Sequence, residues 1–260
     1  ASGTGAWEAA LVNTLSPGDL VLMWETGHFA SLWKKMADKL GVKSEFMGGD
    51  WRKPADPAAI EKRLKEDTGH AIKAVCIVHN ETSTGLQNPV KEIAEAVRAV
   101  APETLILVDA VSSLGGARIE MDAWGLDMVL TSSQKCLALP PGLALGAVSD
   151  RAMEKAKSVE NRGWYFDLVR MEKHRLKDSS PATPAMSLIF ALDFQLDRIL
   201  AEGLDNRFAR HSAMAKRVQE WADARDLSMY APEGYRSQTV TTIKNERGIN
   251  VSDLNAFLKQ

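Results

Sequence analysis

The feature that most constrains the fold is the kind of apolar segment in the first part of the chain. Short runs that are apolar throughout alternate there with segments of helical period. The strand-like runs are residues 19–25, 72–81, 104–112, 126–133 and 142–150, and the first helical segments are 29–41 and 90–101. Strands without a polar face are typical of a sheet covered by helices on both sides. The pattern predicts an α/β fold with a mostly parallel central sheet flanked by helices.

The last third of the chain has a different pattern. Helical segments at 151–159, 184–203 and 207–225 precede a strand-like segment at 237–245 and a final helix. We therefore expect a large domain over 1–184, a helical bridge over 185–225, and part of a smaller α+β domain over 226–260. The smaller domain is expected to be incomplete, because the apolar face of the last helix needs a surface to cover. The first helix also begins at once after Ala1, so an upstream element is expected as well.

The composition argues against several kinds of partner. The net charge is −2 and the pI is about 6.3, which gives no electrostatic basis for binding nucleic acid or an anionic membrane. The two cysteines, Cys76 and Cys136, have no partners at metal-ligand spacing, which indicates a reducing compartment without structural zinc. The longest apolar run is shorter than the roughly 18 residues of a membrane span. We expect a soluble, cytoplasmic protein.

Polar residues follow three consecutive predicted strands. His79 to Thr84 follow the first of them, Asp109 ends the second, and Ser133 to Lys135 end the third. Each group alone is also explained as a turn or a helix cap. Because ligands bind beyond the carboxyl ends of strands in open α/β sheets, the three groups together predict one cavity.

Lys135 lies between a polar turn and an apolar loop, in the stretch LTSSQKCLALPPG. A lysine in dry surroundings loses part of the hydration of its ammonium group, so its amine becomes available as a nucleophile. The alternative is a surface lysine whose methylenes cover apolar side chains. Lys135 is therefore a candidate for a Schiff base, and the rest of the chain must decide between the two interpretations.

An amine, a carboxylate and an anion-binding turn together suit pyridoxal 5′-phosphate (PLP). Lys135 would hold its aldehyde, and Asp109 would keep the pyridine nitrogen protonated. Phe29 would stack on the ring and Thr82 would bind its phenolic oxygen. The phosphate would lie at the N-terminus of the first helix, at Ser2, Gly3 and Thr4.

Five motifs in register resemble the class V, fold type I, PLP-dependent aminotransferases, in the branch that uses glyoxylate with serine, alanine or aspartate. They are SGTGAWEAAL, GHFASLW, HNETSTG, LVDAVSSLGG and SSQKCLALPPG, and the resemblance extends through SSPATPAMSLIFAL. It implies that Lys135 is the catalytic residue and that the active sites are shared across a homodimer, with Thr183 reaching the neighbouring subunit's phosphate. It also implies that Gln134 binds the phosphate. The implied cofactor-binding set is Ser2, Gly3, Thr4, Phe29, Thr82, Asp109, Val111, Gln134, Lys135 and Thr183.

Two departures from the family pattern stand out. Ser180, Pro181 and Ala182 occupy a segment in which many members have an aromatic residue. In addition, the family's arginine for the substrate carboxylate belongs to a motif that follows the kind of sequence found at 237–258. We therefore assign that role to no arginine of residues 1–260.

The resemblance implies amino transfer from a small L-amino acid to glyoxylate, which gives a 2-oxo acid and glycine. An aspartate donor would need a cation for its second carboxylate, such as Arg162, His174 or a residue outside 1–260. The alternatives are a phosphoserine aminotransferase, a cysteine-desulfurase-like lyase of the same fold, and a binding module without activity. A desulfurase would need a reactive cysteine on a mobile polar loop, and neither Cys76 nor Cys136 is placed on one.

Overall fold

The computed structural model describes residues 1–259 and has a six-stranded sheet at its centre. Its strands are β1 (Leu20–Glu25), β2 (Lys43–Gly48), β3 (Ile72–Val78), β6 (Leu105–Asp109), β7 (Met128–Ser132) and β8 (Ala144–Val148). The order across the sheet is β2-β1-β3-β6-β7-β8. All neighbouring strands are parallel except β7 and β8. The predicted α/β fold with a mostly parallel sheet is confirmed.

Helices cover both faces of this sheet. α1 (Gly3–Thr14), α2 (His28–Lys39) and α5 (Asp150–Ser158) pack on one face, and α3 (Pro57–Glu66) and α4 (Val90–Val100) pack on the other. The later helices are α6 (Leu168–Arg175), α7 (Met186–Glu202), α8 (Leu204–Asp223) and α9 (Val251–Leu258). A short hairpin of β4 (Asn80–Glu81) and β5 (Leu86–Gln87) follows β3.

The apolar cores explain why the strands have no polar face. In β3, Cys76 and Val78 belong to the core under α1 and α2, whereas Val75 and Ile77 belong to the core under α3 and α4. Successive side chains of a strand point to opposite faces, so a strand between two cores is apolar at every position. The continuous runs in the sequence are a direct consequence of this two-sided burial.

The predicted strand at 237–245 is wrong. This segment is irregular, and Ile243 makes only a single bridge, to Met229. Its polar side chains bind backbone instead of alternating across a sheet: the hydroxyl of Ser237 accepts from the N–H groups of Thr239 and Val240, at 3.0 and 3.1 Å. Local bonds of this kind compete with strand pairing.

The helical stretch predicted over 185–225 consists of two helices. Gly203 separates α7 from α8, and its φ of +80° lies in a region that favours glycine. The final helix is confirmed as α9, and its apolar residues Val251, Leu254, Phe257 and Leu258 are exposed. Among residues 1–259, every helix is too short or too polar to cross a bilayer. The elements β2, α3 and α6 were not predicted.

Candidate active site

The strand order places the carboxyl ends of β3, β6 and β7 side by side, at the edge of the sheet where a cavity was predicted. The register of the parallel strands pairs Val78 with Asp109 and Asp109 with Leu130. The residues that follow these three positions therefore meet at one edge of the sheet. The N-termini of α1 and α2 face the same edge, as the contacts of Gly3 and Phe29 described below show.

Asp109 is the buried carboxyl group of this edge, with 4% of its surface exposed. Burial raises its pKa to about 7, because the charged carboxylate loses water. The N–H of Val111, which donates to Oδ1 at 2.8 Å, opposes the rise, and so does the indole of Trp7. The indole lowers the pKa of Asp109 without a well-formed hydrogen bond, since its Nε1 has no hydrogen-bond partner within residues 1–259. The charge of Glu81 adds to the rise, and that of Lys135 opposes it.

Phe29 lies at the start of α2 and is held by aromatic contacts. Its ring is 6.3 Å from that of Trp7 in an edge-to-face arrangement, and Trp7 in turn stacks on Trp33 at 6.0 Å. The indole of Trp7 thus contacts the ring of Phe29 and also opposes the rise of the Asp109 pKa.

Glu81 fixes the N-terminus of α2, a role that the sequence did not reveal. It is fully buried, and its carboxylate accepts from the backbone N–H groups of Phe29 and Ala30, at 3.4 and 3.1 Å. A carboxylate at the N-terminus of a helix is stabilised by the helix dipole and by N–H groups without helical partners. Gly27 makes room for it, because a Cβ there would lie 2.5 Å from Cγ of Glu81.

Thr82 belongs to a network of polar side chains. Its hydroxyl donates to Oγ of Ser112 at 2.9 Å, and the amide of Asn80 donates to the same oxygen at 2.9 Å. Thr239, from the irregular C-terminal segment, donates to the carbonyl of Ser112 at 2.6 Å. The segment predicted as a strand therefore docks on the β6 edge of the site. Ser112 and Thr239 were missed because nothing in their local sequence distinguishes them from ordinary turn residues.

The N-terminus of α1 packs directly on the ends of β6 and β7. A Cβ on Gly3 would lie 2.7 Å from Cγ2 of Val111 and 3.5 Å from Oγ of Ser132. Ser2 precedes the helix without a capping side-chain bond, and both Ser2 and Thr4 are exposed. The first N–H groups of a helix have no helical acceptor, so this end of α1 suits an anion.

Two buried polar atoms at and just after the end of β7 support the same conclusion, one of them beside Gly3. Oγ of Ser132 and Oε1 of Gln134 have no hydrogen-bond partner among the described residues. Buried polar atoms are normally paired, so a partner of another kind fits here. A phosphate group would satisfy the serine hydroxyl, and it would also satisfy the glutamine amide in its other orientation. The residues present therefore fit the phosphate of PLP.

Lys135 lies one turn beyond β7, and the prediction of dry surroundings is wrong. Its side chain is exposed, because the turn buries the following apolar residue, Leu137, and leaves the lysine outside. The turn itself is well fixed: Ser133 Oγ donates to the carbonyl of Pro140 at 2.7 Å and accepts from the N–H of Leu143 at 3.2 Å. The lysine is thus an exposed side chain on a hydrogen-bonded turn.

Thr183 does not join this cluster within the chain. It is exposed and lines a separate cavity between α1, β8 and the start of α7, together with Ala1, Gly142 and Pro181. In the segment without an aromatic residue, the carbonyl of Pro181 accepts from Arg170 at 3.0 Å.

The two candidate cations are engaged elsewhere. Arg162 pairs with Asp167 at 3.0 Å, and His174 is half-buried, with its Nδ1 3.1 Å from the hydroxyl of Ser179. Neither of them lines the cavity beside Lys135. The geometry gives neither residue a contact with the strand-end cluster.

Comparison with known proteins assigns the family. The class-V aminotransferase family model matches residues 1–260. The chain is 40% identical over 261 residues to serine–glyoxylate aminotransferase of Hyphomicrobium methylovorum and 38% identical over 253 residues to L-aspartate–glyoxylate aminotransferase of Paracoccus denitrificans. These matches cover 99% and 96% of this chain, and 64% of each relative.

A solved structure shows the same likeness. Alanine–glyoxylate aminotransferase from Nostoc sp. superimposes with a TM-score of 0.92 at 32% identity, over 99% of this chain and 68% of that one. The chain thus spans about two thirds of the length of these proteins. The resemblance found in the five motifs is confirmed, and the chain belongs to the class-V aminotransferase family, whose cofactor is PLP.

Proposed function

We propose that this protein is a PLP-dependent aminotransferase that moves the amino group of a small polar L-amino acid to glyoxylate. The donor would be serine, aspartate or alanine, and the products a 2-oxo acid and glycine. The observation that supports this most is the position of Asp109 and Lys135 on adjacent strand ends, beside an anion-binding helix end with unpaired polar atoms. The names of relatives at 37–40% identity support glyoxylate as the acceptor.

PLP, when bound, provides an electron sink for the electron pair released at the substrate Cα. Lys135 would hold the cofactor covalently, and its freed amine would take the Cα proton as a general base. An exposed, flexible lysine on a fixed turn suits both tasks, because the amine must move between two atoms.

Asp109 would hold a proton on the pyridine nitrogen. Burial raises the pKa of its carboxyl group to about 7 in the chain alone. A positively charged ring nitrogen would lower that pKa and favour the carboxylate. Phe29 and the aromatic residues behind it would keep water from the ring.

The cysteines argue against a desulfurase-like lyase. Cys76 is buried in β3, and burial raises the pKa of its thiol. Burial also raises the pKa of Cys136, whose Sγ lies 3.5 Å from the carbonyl of Ser112. A reactive cysteine needs a lowered pKa and access to substrate. Neither thiol of the chain meets this requirement.

A homodimer with shared active sites is part of the proposal. Large apolar side chains are exposed in the segments before and after Thr183, among them Trp164, Tyr165, Phe190 and Phe194. Exposed patches of this kind mark interaction surfaces. If Thr183 contributes to the partner's phosphate site, Thr183→Ala should weaken PLP binding without changing the mass of the dimer in light scattering.

The deciding experiment for the reaction is a matrix of donors and acceptors with the full-length protein. Serine, aspartate, alanine and glutamate would each be paired with glyoxylate, pyruvate and 2-oxoglutarate. We expect glyoxylate to be the best acceptor with at least one of the first three donors. Efficient use of 2-oxoglutarate with negligible use of glyoxylate would instead support the phosphoserine branch.

A further inference from the structure

Arg207, on the first turn of α8, has a contact set that no motif predicted. It is 6% exposed, and its guanidinium reaches two backbone carbonyls at once. Nε donates to the carbonyl of Gly115 at 2.7 Å, and Nη2 donates to that of Cys136 at 2.5 Å. Nη1 pairs with Glu202 at 2.9 Å. A buried arginine with all three nitrogens engaged is held in one position.

The two carbonyls belong to the two turns that carry the proposed catalytic machinery. Gly115 lies in the turn that follows Asp109 on β6, and Cys136 is the residue after Lys135. The turns also pack closely: a Cβ on Gly116 would lie 2.7 Å from Sγ of Cys136. Arg207 therefore joins the turn of the carboxylate to the turn of the lysine.

Besides the Arg207 bond, one hydrogen bond of Cys136 reaches the β6 side, from Sγ to the carbonyl of Ser112 at 3.5 Å, and a thiol is a weak donor. The carbonyl of Lys135 accepts from the N–H of Ala138 at 2.8 Å, which closes the turn on itself but does not attach it to the β6 side. Ala138 has a φ of +55°, a conformation that is unfavourable for alanine and that its surroundings must maintain. Loss of the Arg207 bond would leave the carbonyl of Cys136 without this partner and remove the charge-assisted bond that ties the turn to the β6 side.

We propose that Arg207 is a positioning residue for Lys135, which fixes the lysine's turn relative to the turn that follows Asp109. The inference rests on the proposed function, in which the lysine amine must reach both cofactor and substrate. A shift of about 1 Å at such a group costs about 100-fold in rate. Arg207 itself contacts no reacting atom.

Arg210 provides a matched control. It lies on the same helix, is partly exposed and pairs with the same Glu202, at 2.5 Å. Its guanidinium makes no hydrogen bond to either turn among the described residues. Arg207→Ala and Arg210→Ala thus each remove one partner of Glu202. Only Arg207→Ala also removes the hydrogen bonds to the carbonyls of Gly115 and Cys136.

The first readout is amide hydrogen exchange in the 133–140 segment of the PLP-free, full-length protein. We expect exchange to be about 10-fold faster in Arg207→Ala than in wild type, and unchanged in Arg210→Ala. Arg207→Lys retains the charge beside Glu202 but cannot bridge both carbonyls. Exchange in the 133–140 segment should therefore also be faster in Arg207→Lys than in wild type. This variant provides the test if Arg207→Ala does not fold.

The second readout is the rate of covalent attachment of PLP to Lys135, together with kcat and KM. We expect attachment and kcat to fall by about 10- to 100-fold in Arg207→Lys, with little change in KM. Unchanged exchange in Arg207→Lys would overturn the proposal. Faster exchange with an unchanged attachment rate would overturn it too, since Arg207 would then be merely structural. A wild-type protein that attaches no PLP would refute the proposed function, whereas the exchange comparison would still decide whether Arg207 fixes the turn.

Discussion

Replacement of Asp109 by asparagine tests whether burial raises the pKa of this carboxyl group as far as the structure indicates. Its pKa is raised from the ordinary 3.8 to about 7 in the folded chain. Below pH 3.8 the carboxyl group is protonated in both the folded and the unfolded state, so its ionisation does not lower the free energy of unfolding. As the pH rises, the unfolded state loses the proton first, and stability falls until the folded pKa is passed.

The size of this effect follows from the two pKa values. One pKa unit corresponds to about 1.36 kcal/mol. The raised pKa therefore lowers the free energy of unfolding by about 4 kcal/mol at pH 8 and by about 2 kcal/mol at pH 5. Asparagine does not titrate, and its carbonyl oxygen can still accept from the N–H of Val111. The free energy of unfolding of Asp109→Asn, relative to wild type, should therefore rise by about 2 to 3 kcal/mol between pH 5 and pH 8.

The assay is urea unfolding of the PLP-free, full-length protein at both pH values. Asp193→Asn, at an exposed position on α7, serves as the control. A fixed offset between Asp109→Asn and wild type is uninformative, because the new amide also changes local bonding. If the relative stability is the same at pH 5 and pH 8, the Asp109 carboxyl titrates normally and the argument from burial is wrong.

Two further substitutions test the packing around α2. Phe29→Ala should weaken PLP binding by at least about 2- to 10-fold, since stacking contributes about 0.5–1.5 kcal/mol beyond burial. Phe46 packs on the same core, so Phe46→Ala should lower the melting temperature without weakening PLP binding. Equal PLP affinities in titrations of the two variants would show that Phe29 is only a core residue. Gly27→Ala should destabilise the protein by about 1–3 kcal/mol in urea unfolding, because the new Cβ would lie 2.5 Å from Cγ of Glu81. Gly69→Ala has no neighbour within 4 Å and should be nearly neutral, and equal effects of the two glycine variants would contradict the contact.

The sheet was predictable because burial leaves a direct trace in the sequence. Every residue of β3 between Ala74 and Val78 faces one core or the other, so the segment is apolar throughout. Parallel order then places the ends of β3, β6 and β7 together, which is why Asp109 was located correctly at the end of β6. Such an inference requires only local pattern and general topology.

The remainder depends on contacts between residues that are far apart in the chain. Leu137 turns inward and leaves Lys135 exposed. The apolar residues that flank Lys135 in the sequence do not indicate which side chain of the turn is buried. Thr239 reaches Ser112 across 127 positions, and Arg207 reaches Cys136 across 71. Neither pair has a local signature, since serine, threonine and arginine are ordinary residues in a loop or on a helix.

The central claim is that Lys135 forms the covalent bond to PLP. The most direct measurement is borohydride reduction of the PLP-loaded, full-length protein, followed by digestion and mass spectrometry of the peptides. We expect the reduced phosphopyridoxyl group on Lys135, and we expect Lys135→Ala to fold normally, because that side chain is exposed, while losing turnover. A label on a different lysine, no label at all, or turnover by Lys135→Ala above the rate of free PLP would contradict the account.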